Sequence, residues 1–567
     1  MRTLPCLFLI VCLYTCAEVP AQTSADDVPK GTLTSYTFDQ SKIFPGTRRA
    51  YSVYVPKQYD AAKPACVYVS QDGINPRFTE ALDQLIHKKE IPALVAIGIS
   101  PGHVPPPTPV AAGRGNRCFE YDSLGDSYAR FLLEELLPHV AKEQQLNLST
   151  DANDRCIGGC SSGGICAFTV AWERPDAFRR VYSNSGSFVA FRGGYVYPVL
   201  VRKYEAKPIR IFLHVGNDDM RNTGGEWCLL NQEMDRSLAF AGYEYNYSWS
   251  AGGHGHLYVD QFPEAMRWLW KDWPSPVKAG NGPPRLQDIL IPGESWKLVG
   301  DGYKEARSPA ANPQGEVLFA DVPAGKTFKI GLDGKVTPTL AEAGPLKSLT
   351  FGAAGQLYAI AANAEKIITA ESDGQVKTVA EGIRAHALTA RREGGLYVTS
   401  PGPSGTQESQ IWFVDAQGEK KVVDTGLARA TGVAISPDHW QLHVADGGSH
   451  WMYIYEIKSD GSLINKQRFD WLHVPDTADD SGADGLCVAQ DGRKFVATRL
   501  GIQVCDQDGR AQGIIPTPNG KISGLCFGGR AFDTLFATCG DRVFMRKVKS
   551  TGACAFHGPA KPAGAKL

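Results

Sequence analysis

One stretch of the chain has residue types and spacing suited to acyl transfer at a serine. Gly159-Cys160-Ser161-Ser162-Gly163 fits G-x-S-x-G, a weak signal by itself in a chain with 60 glycines. Its surroundings sharpen it. Arg155-Cys156-Ile157 reads as a short strand before it, and Ile165 to Trp172 reads as a helix after it, ending near Pro175. A strand–turn–helix of this kind needs small flanking residues (Gly159, Gly163 and Gly164). It leaves the serine hydroxyl exposed and aims a helix N-terminus at the reacting oxygen. Ser162 is the rival serine but lacks a glycine at both required offsets. A serine hydroxyl attacks only when a base removes its proton. In a fold with this elbow the order is serine, then acid on a loop after a later strand, then histidine before a final helix. Ile209 to Val215 reads as such a strand, and Gly216-Asn217-Asp218-Asp219 follows it. Tyr245 to Trp249 is the next strand, then come Gly252-Gly253-His254-Gly255-His256 and a helical pattern over Phe262 to Trp270. At this point the acid is Asp218 or Asp219, with Glu226 as a further candidate, and the base is His254 or His256.

The elements that must hold these loops belong to a chain too long for one core. With 567 residues, 43% hydrophobic and 21% charged, it has a globular composition and a length for two or three domains. The net charge of −1 gives no field for nucleic acid or an anionic membrane, so neither is expected as a partner. Residues 1–22 read as an export signal, with Arg2, an apolar Leu4 to Cys16 and small residues at Val19-Pro20-Ala21. That apolar run is too short to span a bilayer, and no later segment is apolar enough to do so, so a secreted or periplasmic protein is expected. Of 14 cysteines, those beyond the signal are odd in number and scattered, with no zinc spacing. Residues 26–273 alternate strands (Arg49 to Val55, Ala65 to Val69, Ala93 to Ile99) with helical patterns such as Ser127 to Glu143, as in a mostly parallel α/β sheet. Residues 274–288 are Pro- and Gly-rich linker chemistry.

From about residue 289 the pattern changes. A short apolar motif recurs at Gly315-Glu316-Val317-Leu318-Phe319, Gly355-Gln356-Leu357-Tyr358, Gly395-Leu396-Tyr397-Val398, Gln441-Leu442-His443-Val444, Arg493-Lys494-Phe495-Val496 and Thr534-Leu535-Phe536-Ala537. A period of about 40–50 residues built from strands alone is the signature of a β-propeller. The motif copies predict six blades over residues 289–550, with 551–567 a loose tail. The expected architecture is therefore multi-domain: an α/β-hydrolase fold followed by a six-bladed β-propeller.

Two family resemblances rest on these residues. The first half resembles the enterochelin-esterase and esterase D family, close to carbohydrate esterase family 1. The resemblance is carried by Val67 to Gly73, Ile157 to Gly164, Arg174-Pro175-Asp176-Ala177-Phe178, Gly216 to Asp219, and Gly252-Gly253-His254 before Pro263-Glu264-Ala265. It implies Ser161 as nucleophile, Asp219 as orienting acid and His254 as base, and carboxylic-ester hydrolysis without a cofactor on a small-molecule or carbohydrate ester, an acylated sugar being the expected class. An oxyanion hole needs two backbone N–H groups. Ser162 is expected to supply one, and Asp72 or Gly73, after the Ala65 to Val69 strand, the other. Arg117 and Glu120 fit either a pocket wall or a surface ion pair. The second half resembles the gluconolactonase and senescence-marker-protein (regucalcin) family, through Ser436-Pro437-Asp438, Gly482 to Leu486 and Thr498 to Ile502. That resemblance implies a divalent cation held by a Glu, Asn residues and an Asp, and hence an alternative function as a metal-dependent lactonase. Here only Asp484 fits. Arg307 stands where the Glu is expected, and Thr431 and His386 stand at the Asn positions, so no metal is expected.

Overall fold

The computed structural model describes residues 28–362, 365–370, 375–402 and 409–566; the expected export signal at 1–22 lies outside the described residues. The first half is built on one eight-stranded sheet: β1 (Thr32–Phe38), β2 (Arg49–Val55), β3 (Cys66–Gln71), β4 (Leu94–Ile99), β5 (Arg155–Cys160), β6 (Arg180–Asn184), β7 (Arg210–Gly216) and β8 (Glu244–Ser250). Their spatial order is β1-β2-β4-β3-β5-β6-β7-β8. The pairs β1–β2 and β2–β4 are antiparallel, and every pair from β4–β3 to β7–β8 is parallel.

The central parallel strands are covered on both faces, so they are buried along their length and mostly apolar rather than alternating. In β3 every residue is buried. Val67 and Val69 face one core with Phe131, Leu136, Phe168 and Trp172. Cys66 and Tyr68, one position out of phase, face the other core with Phe78, Leu82, Phe262 and Leu269. The helices on the second face are α1 (Pro76–His87) and α5 (Phe262–Trp270). The first face takes α3 (Ser162–Glu173), α4 (Trp227–Phe240) and a helical run from Ser127 to Glu143. In that run Phe131–Leu136 widens to a π-helix ahead of Leu137–Glu143. Pro138 has no N–H to give the preceding turn, and a wider turn accommodates the lost bond. A short helix, α2 (Arg117–Tyr121), sits on the first face near the end of β3. Glu120 on α2 belongs to the interior rather than to a pocket wall: Arg49 Nη1 reaches it at 2.6 Å with both side chains fully buried, and the Gly102 N–H donates to it at 3.1 Å.

The second half is a β-propeller of five sheets, four of four strands and one of six, not the six separate blades that the motif copies predict. The first and last copies share the six-stranded sheet. The long strand Lys297–Ala311 pairs with Val317–Asp321 through its second part and with Thr534–Lys547 through its first. The start and end of the propeller are thereby hydrogen-bonded into one unit, which closes the ring. Arg307 and Thr431 on inner strands, with His386 and Asp484 just before the inner strands Ala387–Ala390 and Leu486–Val488, line a cavity of about 1500 Å3 at one end of the channel. Residues further along the inner strands, such as Ala311, Phe351 and Val488, line a second cavity of about 150 Å3 closed by Ala553–Phe556.

Residues 551–566 are thus not the loose end expected from their composition. Gly552 N–H donates to Phe532 O, Ala553 N–H to Val488 O and Gln490 N–H to Thr551 O, and Phe556 packs against Phe532. The linker is strapped to both halves: Asn153 holds Pro274 O and the Val277 N–H, while Leu286 is buried in the propeller core. The halves also touch directly. Ile514 exchanges backbone hydrogen bonds with Lys203 and Glu205, and Arg546, 4% exposed, pairs with Glu205 at 2.7 Å. All eleven cysteines in the described residues are unpaired thiols. Among the described residues no helix is long and apolar enough to cross a membrane.

Candidate active site

Ser161 sits between β5 and α3 with φ 60° and ψ −125°, a backbone conformation that a non-glycine residue holds only when its surroundings over-determine it. Here they do. The Ser161 N–H donates to Asn184 O at the end of β6, and the Ser161 carbonyl accepts from Gly164 and Ser187 N–H groups. A Cβ on Gly159 would lie 2.5 Å from the Gly163 backbone, so only glycine lets the strand turn this sharply into the helix. The serine is thereby pushed out of the turn, and Ser162 N–H heads the helix behind it.

His254 and Asp219 meet across the β7 and β8 loops. His254 Nδ1 lies 2.6 Å from Asp219 Oδ1; Asp219 is fully buried, while the His254 side chain is 26% exposed. Asp219 Oδ1 also accepts the Met220 N–H. Burial pushes the Asp219 carboxyl up, but hydrogen bonds from His254 and the Met220 N–H, with the Ser185 side chain nearby, outweigh it and hold the group below its ordinary value. An ionised carboxylate only accepts, so His254 Nδ1 carries the proton and Nε2 is left as the free lone pair. The rivals lie elsewhere. Asp218 is exposed, Glu226 pairs with Arg221 at 3.2 Å, and His256 Nδ1 bonds Ser250 Oγ at 2.9 Å, which in turn contacts the buried His214.

Ser161 Oγ lies 3.4 Å from Ser187 Oγ, and among the described residues no hydrogen bond links it to His254. A residue that sequence reasoning missed connects the two sides. Trp227, fully buried at the start of α4, donates from Nε1 to Ser187 Oγ at 3.2 Å and packs edge-on against the His254 ring with centroids 5.9 Å apart. The only sequence signal for Ser187 is a small polar run, Asn184-Ser185-Gly186-Ser187, after an apolar one; Trp227 has none.

The loop after β3 divides the two expected oxyanion donors. The Gly73 N–H is spent on Ile99 O at 3.0 Å, which corrects the expectation for that residue: the turn folds it back onto β4. Asp72, at φ 62°, presents its N–H to Tyr121 Oη over a longer 3.3 Å. The Asp72 carboxylate is gripped by Arg117 Nε and Nη2, both at 2.8 Å, on a half-exposed rim. A Cβ on Gly163 would fall 3.1 Å from Asp72 Oδ2, so the elbow and this loop are in close contact.

The large cavity lies elsewhere, between the halves, and is lined by none of Ser161, Asp219 or His254. At its propeller end Asp484 Oδ2 meets Arg307 Nη1 at 3.2 Å and Asp484 Oδ1 meets His386 Nε2 at 2.9 Å, while Arg307 also pairs with Glu305 at 2.6 Å.

Comparison with known proteins agrees with the two-part architecture. Residues 41–269 match the family described as "Putative esterase", and residues 306–541 match the "SMP-30/Gluconolactonase/LRE-like region" family. The chain is similar to the gluconolactonase of Zymomonas mobilis, 24% identical over 47% of this chain and 85% of the relative. It is also similar to the uncharacterized protein YbbA of Bacillus subtilis, 24% identical over 40% of this chain and 93% of the relative. A solved gluconolactonase from Xanthomonas campestris, XC5397, covers 47% of this chain and 92% of its own at 22% identity, with a TM-score of 0.41. The chain thus joins an esterase-family domain to a gluconolactonase-like propeller.

Proposed function

We propose that the first half is an α/β-hydrolase acting as a serine carboxylic-ester hydrolase outside the cytoplasm, on acylated sugars or related esters, with the propeller as an accessory domain. The observation that carries this reading is the 2.6 Å His254–Asp219 pair at the same end of the parallel strands as a serine held at φ 60° in a strand-to-helix elbow. The Ser161 hydroxyl leaves Ser187 and turns to His254 Nε2 when substrate docks; such hydrogen bonds commonly tighten only in the substrate complex. His254 takes the proton as Oγ attacks the ester carbonyl carbon. Asp219 stabilises the imidazolium. The tetrahedral oxyanion is received by the N–H of Ser162 and that of Asp72, which gives up its long contact to Tyr121. His254 returns the proton to the departing alkoxide; it then takes a proton from water as the water oxygen attacks the acyl carbon, and gives that proton to Ser161 Oγ as the Oγ–acyl bond breaks and the acid leaves. No metal or cofactor enters these steps. For the propeller, we read the six-stranded sheet as two blades joined at the ring closure, so that six inner strands surround the channel.

A second reading, a metal-dependent lactonase in the propeller, has the match at residues 306–541 and a relative called gluconolactonase in its favour. In that family a divalent cation polarises the lactone carbonyl. The residues here do not fit such an ion. A hard cation wants several oxygen ligands, whereas Asp484 is engaged by a guanidinium and an imidazole, and a tethered positive charge repels an incoming one. The test is a panel of p-nitrophenyl acyl esters, acylated sugars and sugar lactones, run with and without EDTA on wild type and Ser161→Ala. Ester turnover lost in Ser161→Ala and indifferent to EDTA is the expected result. EDTA-sensitive lactone hydrolysis that survives Ser161→Ala would replace this proposal by the lactonase.

A further inference from the structure

We propose that the esterase-facing end of the propeller channel is an anion site, which takes a carboxylate or phosphate group where the related propellers take a divalent cation. The inference rests on how charge is distributed around Asp484. Its carboxylate already has two partners, Arg307 and His386, and the second carboxylate nearby, Glu305, is bonded to the same Arg307. Three more cations, Lys347, Arg384 and Arg429, have no ion pair of their own among the described residues, and of these Arg429 lines the cavity. Among the described residues no carboxylate lies within 4 Å of Lys347, Arg384 or Arg429. Lys347, at the start of its inner strand, gives its Nζ proton only to Ala385 O, at 3.0 Å. Arg429 reaches only the Gly447 carbonyl, and it lines the cavity with Arg307 and His386. Burial, and then the charges of Arg307 and Arg384, press the Lys347 ammonium below its ordinary value against the opposing pull of Asp484.

At the propeller end of the cavity Arg307, His386 and Arg429 stand about the one carboxylate of Asp484, while Asp126, Glu173, Asp176, Glu205 and Asp476 line other parts of it, so the positive excess is confined to that end. Guanidinium groups match the planar, two-oxygen geometry of carboxylate and phosphate. The cavity gives that charge a place to act, since about 1500 Å3 is ample for a ligand carrying one such group. The far end of the channel is covered by Ala553–Phe556, so the ligand enters from the cavity. Thr431 is not a donor to it, because its hydroxyl already donates to Ala483 O at 2.7 Å. The site is separate from Ser161, and binding there requires no chemistry.

The test is calorimetric titration of the full chain with inorganic phosphate and with citrate, using glucose as the uncharged control and calcium chloride in a separate arm. The expected result is saturable binding of at least one anion, none of glucose, and no stoichiometric calcium. Arg307→Ala and Arg429→Ala should each weaken the anion by about tenfold or more, the worth of one charged hydrogen bond. Arg307→Lys should weaken it less, and Ser161→Ala should bind as wild type does. Phosphate binding in preference to citrate, or the reverse, names the group. Arg307→Glu, which restores a carboxylate beside Asp484, should lose the anion and gain calcium. Thermal melting of each variant separates lost binding from lost folding. Stoichiometric calcium in wild type, or anion binding unchanged in both well-folded alanine variants, overturns the proposal.

Discussion

Replacing Asp219 by asparagine tests the proposed charge balance at the esterase site, and the structure sets its size. Asp219 Oδ1 accepts both His254 Nδ1–H, at 2.6 Å, and the Met220 N–H. In the variant the Met220 donor would clash with an amide NH2, so the asparagine must present its carbonyl oxygen at that position. His254 then keeps its tautomer, and only the negative charge is lost. Opposite charges about 4 Å apart at an effective dielectric near 20 attract by about 4 kcal/mol, and 1.36 kcal/mol is tenfold in rate. Asp219→Asn should therefore lower kcat by about 10²–10³, with KM little changed because the imidazolium exists only along the reaction path. Steady-state hydrolysis of p-nitrophenyl acetate reads it out, with Asp218→Asn as a control expected near wild type. A loss below tenfold, or an equal loss in the control, refutes Asp219 as the acid. A loss beyond about 10⁴ refutes the amide orientation assigned to the asparagine, since that size signals a flipped tautomer.

Three other outcomes are expected. Ser161→Ala should remove ester turnover by about 10⁴-fold or more while the urea midpoint stays put; retention of a tenth of the activity would exclude it as nucleophile. Glu120→Ala should cost about 3–5 kcal/mol in urea unfolding of the first half, because it strands the fully buried Arg49 without a counter-charge; a loss under 1 kcal/mol would contradict that. Acid should loosen the contact between the halves at His473, whose Nε2 lies 2.7 Å from Lys203 Nζ. Burial and then the Lys203 charge lower His473 from 6.5 to about 4, so between those values the unfolded chain binds the proton and the native one does not. Its contribution is complete above pH 6.5 and is lost as pH falls toward 4. Melting curves at pH 7, 5.5 and 4.5 should show this slope, reduced in His473→Gln; equal slopes would refute it.

Much of this was legible in the sequence, for reasons that differ by element. β3, β5 and β7 could be read because central strands of a parallel sheet, buried on both faces, carry short, mostly apolar runs, and the serine elbow because its glycines are steric necessities. The choice of Asp219 over Asp218 rests on the family resemblance and not on the local residues, since adjacent carboxylates on one loop differ only in burial, and burial is decided by how the loop lands on α4 and the His254 loop. Ser187 and Trp227 act through contacts made by distant segments, which no local spacing encodes. Gly73 looked free to donate because nothing in its neighbours announces Ile99 O as the acceptor. In the propeller the repeated motif counts second strands, not sheets, so it is silent about which two copies share one. The tail looked loose because glycine, alanine and proline rarely build elements, yet backbone pairing to Phe532 and Val488 needs no particular side chain.

The pairing of Lys297 with Met545 in the six-stranded sheet sets an order of events during synthesis. The esterase half is complete once α5 and the linker have left the ribosome, and it can form its sheet at once, since domains generally fold as units with the N-terminal one first. The propeller has no such freedom. Its first strand has an open edge until the last strand is made, and an open edge invites pairing with other chains. The long strand Lys297–Ala311 must therefore wait for nearly the whole remaining chain, and a stop shortly before Thr534 would release a folded esterase half attached to an unclosed ring.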